Sequence, residues 1–85
     1  LSKNFKFIAD RGIRTRQWFE SEPIKEVFEE LERDLSVLWI QTKSDQEEER
    51  ERLYRQVWGV KALRKRIRMI IDAGKKAEEE LKHVD

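Results

Sequence analysis

No cysteine occurs anywhere in this sequence, and histidine occurs once, as His83. Disulfides and cysteine- or histidine-based metal sites, the usual reinforcement of small domains, are therefore closed to it. No run approaches the roughly eighteen apolar residues that a membrane-crossing helix needs, and the N-terminal residues lack the apolar run of a signal peptide. That pattern predicts a cytoplasmic protein without a membrane partner. Charge of a single sign is also lacking: nineteen Lys or Arg stand against eighteen Asp or Glu, a formal net charge of +1. No global field draws the chain toward nucleic acid or a lipid surface, so local patches have to be judged separately. With three glycines and only Pro23 as proline, neither a phosphate-cradling glycine loop nor a flexible linker is present.

What is there in quantity is charge, at 44% of residues, with 38% apolar. Eighty-five residues make one domain at most, and a chain this short buries a modest fraction of its surface on folding alone. Oligomerisation is the remaining source of support.

Apolar periodicity predicts two amphipathic helices. The first covers about residues 22–41, with Ser21 as N-cap and Glu22 and Pro23 suited to a first turn. Its apolar stripe is Ile24, Val27, Phe28, Leu31, Leu35 and Leu38, and Val37, Trp39 and Ile40 extend it almost all the way round at the end. TKSD at 42–45 interrupts the pattern, and Ser44 with Glu47 has capping-box spacing. The second helix is predicted over about 45–73, ended by Gly74, with Leu53, Val57, Val60, Leu63, Ile67 and Ile70 as its stripe. Pairs Glu48 with Arg52 and Glu51 with Arg55 are expected to support its charged first turns. So short a connection makes the helices antiparallel neighbours. The expected fold class is all-α: an antiparallel hairpin, an N-terminal arm over 1–20, and a charged tail over 75–85 that is either a short third helix or a frayed continuation of the second.

The arm carries Phe5, Phe7, Ile8, Ile13, Trp18 and Phe19, too much apolar surface to leave in water. It is expected to fold back on its own helices or on a neighbour. Its five Lys or Arg against two acids leave phosphate binding among interleaved aromatics as the alternative.

At about 1.5 Å per residue the second helix is roughly 40 Å long and the first roughly 30 Å, so a hairpin leaves apolar surface uncovered. Trp39, Ile40, Trp58, Ile67, Ile70 and Ile71 are the expected oligomer interface, and Gly59 beside Trp58 suggests the close approach of another backbone. On a helical wheel Lys61, Arg64, Lys65 and Arg68 fall on one side of the second helix, with Tyr54 and Trp58 along its edge. This strip is the candidate nucleic-acid contact. Its competing role is to pair with Glu26, Glu29, Glu30 and Glu32 of the first helix. No serine has a base nearby, and the carboxylate runs at 47–49 and 78–80 have no paired histidine. No catalytic, metal or cofactor site is therefore expected.

The segment LWIQTKSDQEEERERLYRQVWGVKALRKRIRMIIDAGKKAEEEL resembles small helical proteins of unassigned function encoded by tailed bacteriophages and prophages. Trp39, Thr42, Asp45, Arg50 with Leu53 and Tyr54, and Asp72 with Gly74 carry the likeness. It implies virion assembly, genome packaging or a phage accessory role, with self-association, phage or host proteins as partners, and a place in the virion instead of the cytoplasm. Three functions stay open: a self-associating, non-enzymatic protein–protein interaction module; a nucleic-acid-binding accessory protein; and a small inhibitor of a host enzyme.

Overall fold

The computed structural model describes residues 2–83, which form three α-helices: α1 (Ser2–Phe19), α2 (Glu22–Gln41) and α3 (Glu47–Lys82). No strand occurs among the described residues. The chain is all-α, and α2 with the first half of α3 makes the expected hairpin.

The first twenty residues are not an irregular arm but carry a helix, and it folds back on the chain's own α3, one of the two expected places for its apolar side chains. Phe5, Ala9, Gly12, Arg16 and Phe19 recur at gaps of three and four, and Ala9, Gly12 and Phe19 are buried. Two of the stripe's members are too small to register as apolar, which hides the periodicity. α1 packs along the C-terminal half of α3, the most extensive interhelical contact in the molecule. It stops because Pro23 has no N–H to continue the helix and its ring clashes with the carbonyl four residues back. Ser21 turns extended, with φ −66° and ψ 143°. Its hydroxyl donates to the Trp18 carbonyl at 2.6 Å instead of capping α2.

The second helix does not end at Gly74, and of the alternatives for the residues after it, a continuation of the helix is the one found over 75–82. α3 runs through Gly74 to Lys82, and none of the described glycines has positive φ. Gly74 serves a close approach: a Cβ built on it would fall 2.7 Å from the Gly12 Cα, and one on Gly12 would fall 2.6 Å from the Gly74 Cα. Only a pair of glycines lets the two backbones meet there. Residues 84 and 85 of the expected tail lie outside the described residues.

The capping box at Ser44 and Glu47 is also replaced. α3 begins at Glu47 with Gln46 at the N-cap and no side-chain cap bond. Gln46 Oε1 instead accepts the Lys43 N–H at 2.7 Å, closing a tight turn. The turn is fastened at Thr42, whose hydroxyl donates to the Trp39 carbonyl and accepts from Arg50 Nε at 2.9 Å, while the Arg50 guanidinium lies 5.2 Å from the centre of the Trp39 ring. Arg52 pairs with Glu49, not Glu48; Arg55 pairs with Glu51 as its spacing predicts. The Glu49 hydrogen bond, and then its charge, hold the Arg52 guanidinium above its usual range.

At about 1.5 Å per residue, α1 and α2 placed end to end match the length of α3. Both run antiparallel to it, so the molecule is a slab 63 × 24 × 13 Å. Its radius of gyration of 18.1 Å compares with about 12 Å for a compact domain of this length. A single layer of helices has little interior. The core is a knot at mid-rod, where Phe19, Phe28, Ile67 and Ile71 meet with Ile24 and Val60 against them. Leu53 is buried separately near the hairpin turn.

Candidate interaction surface

Because no helix lies above or below the slab, apolar side chains on both sides of the α2–α3 seam stay in water. On one side Leu35, Ser36, Trp39, Ile40, Tyr54 and Val57 line an open groove of about 390 Å³. Ile40 is 79% exposed and Trp58 57%. Tyr54 and Trp58 stand edge to face at 6.4 Å, one turn apart on α3. This is the apolar helix end that the sequence leaves without a partner, and two helices do not cover it.

On α2 the sequence stripe is wider than what α3 can bury. Phe28 and Leu35 are buried, whereas Val27, Leu31 and Leu38 are exposed. Their spacing of four and seven places them on one line, turned away from Ser36 and the groove. Leu63 on α3, also read as stripe, is 52% exposed. Here the sequence pattern is right about amphipathicity and wrong about which members the fold hides.

The expected interface residues separate. Trp39, Ile40 and Trp58 remain on the surface, and Ile70 is half-buried. Ile67 and Ile71 are corrected to core residues, 5% and 2% exposed. Their apolar surplus is taken up by Phe19 at the end of α1, one of the side chains expected to fold back on the chain's own helices or on a neighbour.

The basic strip is divided in the same way. Arg64 donates from two nitrogens to the two carboxylate oxygens of Glu32, at 2.6 and 3.1 Å. Its guanidinium also lies 5.5 Å from the Phe19 ring and 5.0 Å from Phe28, which themselves meet edge to face at 5.4 Å. Arg64 thus ties all three helices at mid-rod. Arg68 adds a contact over Phe19 at 5.7 Å. Of the expected phosphate contacts, Lys61, Lys65, Arg68 and Tyr54 are exposed and Arg64 is half-buried. Glu32 alone among the four expected α2 acids forms an ion pair with a described cation.

Two features escaped the sequence reading. A second groove, of about 240 Å³, is lined by Ile8, Arg11, Arg66, Met69, Ile70 and Ala73, between α1 and α3. Its signal would have been the helical spacing of α1. The other is a contrast among glycines: Gly12 and Gly74 touch, while a Cβ on Gly59 would meet nothing within 4 Å.

No described polar or charged residue is buried, and no three described His, Asp or Glu side chains gather as a metal-ligand set. No described helix is long and apolar enough to cross a membrane. Comparison with family models, with curated proteins and with solved structures finds no match to this chain.

Proposed function

We propose that this chain is a self-associating, non-enzymatic protein–protein interaction module. The supporting observation is the single-layer architecture: large apolar side chains stay exposed on both sides of the α2–α3 seam, from Ile40 and Trp58 to Val27 and Leu31. Exposed apolar surface of this kind marks an association site, because covering it removes tens of Å² per side chain from water at about 25 cal/mol per Å². Aromatic anchors with polar surroundings are the usual composition of such a site. The likeness of residues 38–81 to small tailed-phage proteins supplies a setting, the assembly of a particle or the packaging of its genome.

Light scattering coupled to size exclusion tests this directly. The expected molar mass is a multiple of the 10.4 kDa chain. A single-copy mass at millimolar concentration refutes it.

A second reading keeps nucleic acid as a ligand. It rests on Lys61 and Lys65, exposed and without an ion-pair partner among the described residues, on the helix that also exposes Tyr54 and Trp58. A mobility shift of duplex DNA, abolished by Lys61→Glu with Lys65→Glu and weakened by salt, is its expected sign.

A further inference from the structure

The fold sorts charge along the rod in a way that the near-neutral sequence conceals. α1 and residues 61–82 lie side by side and together hold thirteen Lys or Arg against five Asp or Glu. Residues 22–60 form the other half, with six Lys or Arg against eleven Asp or Glu. One half has a surplus of eight positive charges and the other of five negative. Two copies laid in the same direction would bring like halves together; reversing one brings unlike halves together along the whole length. Screening limits attraction to about 8 Å at physiological salt, so the preference acts where surfaces touch.

One face of α3 is suited to that contact. At about 100° per residue, Gly59, Ala62, Leu63, Met69, Ile70 and Ala73 fall within roughly a third of the helix circumference, with Arg66 at their centre. Leu63 and Met69 are about half exposed, and Gly59, Ala62, Arg66 and Ala73 are exposed. Trp58 follows about 20° beyond the Met69 edge of this face and Tyr54, which lines the first groove, about 60° beyond it. A glycine inside a helix costs about 1 kcal/mol relative to alanine. Gly12 and Gly74 repay that by touching each other, but within one chain nothing approaches Gly59. The same face leads into the second groove, where Arg11 and Arg66 meet without a carboxylate among the lining residues, and neither forms an ion pair with a described residue. Like charges converging on an apolar groove favour an acidic surface opposite. The slab's broad side, 63 by 24 Å, is larger than the about 800 Å² per partner of a standard interface.

We infer that a second copy of this chain packs antiparallel on the α3 face that carries Gly59 and Leu63, the acidic half of each copy against the basic half of the other. This rests on the self-association proposed above and adds its face and direction. The two α3 helices then cross near their midpoints, where Gly59 lets the backbones approach, and the Trp39–Ile40 groove stays outside the contact.

The lack of native cysteine makes the test clean. A nitroxide on Ser44→Cys, in the turn at one tip of the rod, reads direction by pulsed electron resonance. Antiparallel packing puts the two labels at opposite tips, a separation approaching the 63 Å length. Parallel packing puts them side by side, and that result overturns the inference while leaving self-association intact. A chain that stays single in light scattering overturns both. For the face, Gly59→Leu and Leu63→Asp are each expected to raise the dimer dissociation constant at least tenfold in sedimentation equilibrium, with helicity retained in circular dichroism. Ile40→Asp should leave that constant within about threefold. A dimer insensitive to Gly59→Leu and Leu63→Asp but dissociated by Ile40→Asp would assign the contact to the other side of the slab and refute the inference.

Discussion

Gly12 and Gly74 face each other across the α1–α3 seam with no space for a methyl group between them. A Cβ on either would stand 2.6 or 2.7 Å from the other's Cα, and because the obstacle is backbone, a rotamer change cannot relieve it. Ala9 and Ala77, both buried, continue the close contact one turn further along the seam, toward the N-terminus of α1 and the C-terminus of α3. The first prediction is that Gly12→Ala and Gly74→Ala each destabilise the fold. Alanine would gain about 1 kcal/mol of helix propensity, but forcing the helices apart costs about 1–3 kcal/mol, and the clash should win. Urea melts followed by circular dichroism read the midpoint; an increase for either variant would contradict the close approach.

Arg64 carries two interactions that substitutions can separate. Glu32→Gln removes the ion pair but spares the stacking on Phe19 and Phe28; a partly exposed pair of this kind is worth about 1 kcal/mol or less. Arg64→Ala removes both, and since each ring contact contributes about 0.5–1 kcal/mol, it should be the more damaging change. A double-mutant cycle in chemical denaturation checks the ordering. Equal losses from the two single variants would mean that the rings contribute nothing.

α1 covers the apolar surplus of α3, so the hairpin should not stand without it. Phe19→Ala is expected to cost about 3–5 kcal/mol, the range for a buried phenyl group, because it opens the Phe28–Ile67–Ile71 cluster from one side. A chain beginning at residue 21 should lose its cooperative thermal transition and bind the dye ANS more strongly. Retention of a sharp transition would show that α2 and α3 suffice.

The Trp39–Ile40 groove gives a milder prediction. Ile40 is so exposed that Ile40→Asp should change stability by no more than about 0.5 kcal/mol. It should nevertheless reduce dye binding to the groove and raise solubility. A large fall in melting temperature would indicate that Ile40 is packed in a way its exposure does not show.

The sequence made α2, the turn at 42–45 and the first half of α3 legible because large apolar residues recur there at helical spacing against a charged background. α1 was hidden for the opposite reason. Its buried line passes through Ala9 and Gly12, whose value lies in being small, and smallness tells only when a partner backbone comes near. Gly74 misled similarly: a glycine after an apolar run usually marks a C-terminus, whereas this one is the other half of the Gly12 contact. The candidate surface was half legible. Trp39, Ile40 and Trp58 stay exposed, but Ile67 and Ile71 do not, since the helix that buries them was not recognised.

By itself, the sequence determined helix type, the breaks before Pro23 and at 42–45, and the excess of apolar surface over what a short chain can bury, because these follow from local propensity and periodicity. Tertiary structure alone decided that α1 and α2 share α3 between them. It therefore also decided which side chains the core claims and how a nearly neutral chain becomes a rod with a basic half and an acidic half. Those outcomes depend on distances between residues sixty positions apart, which no local pattern encodes.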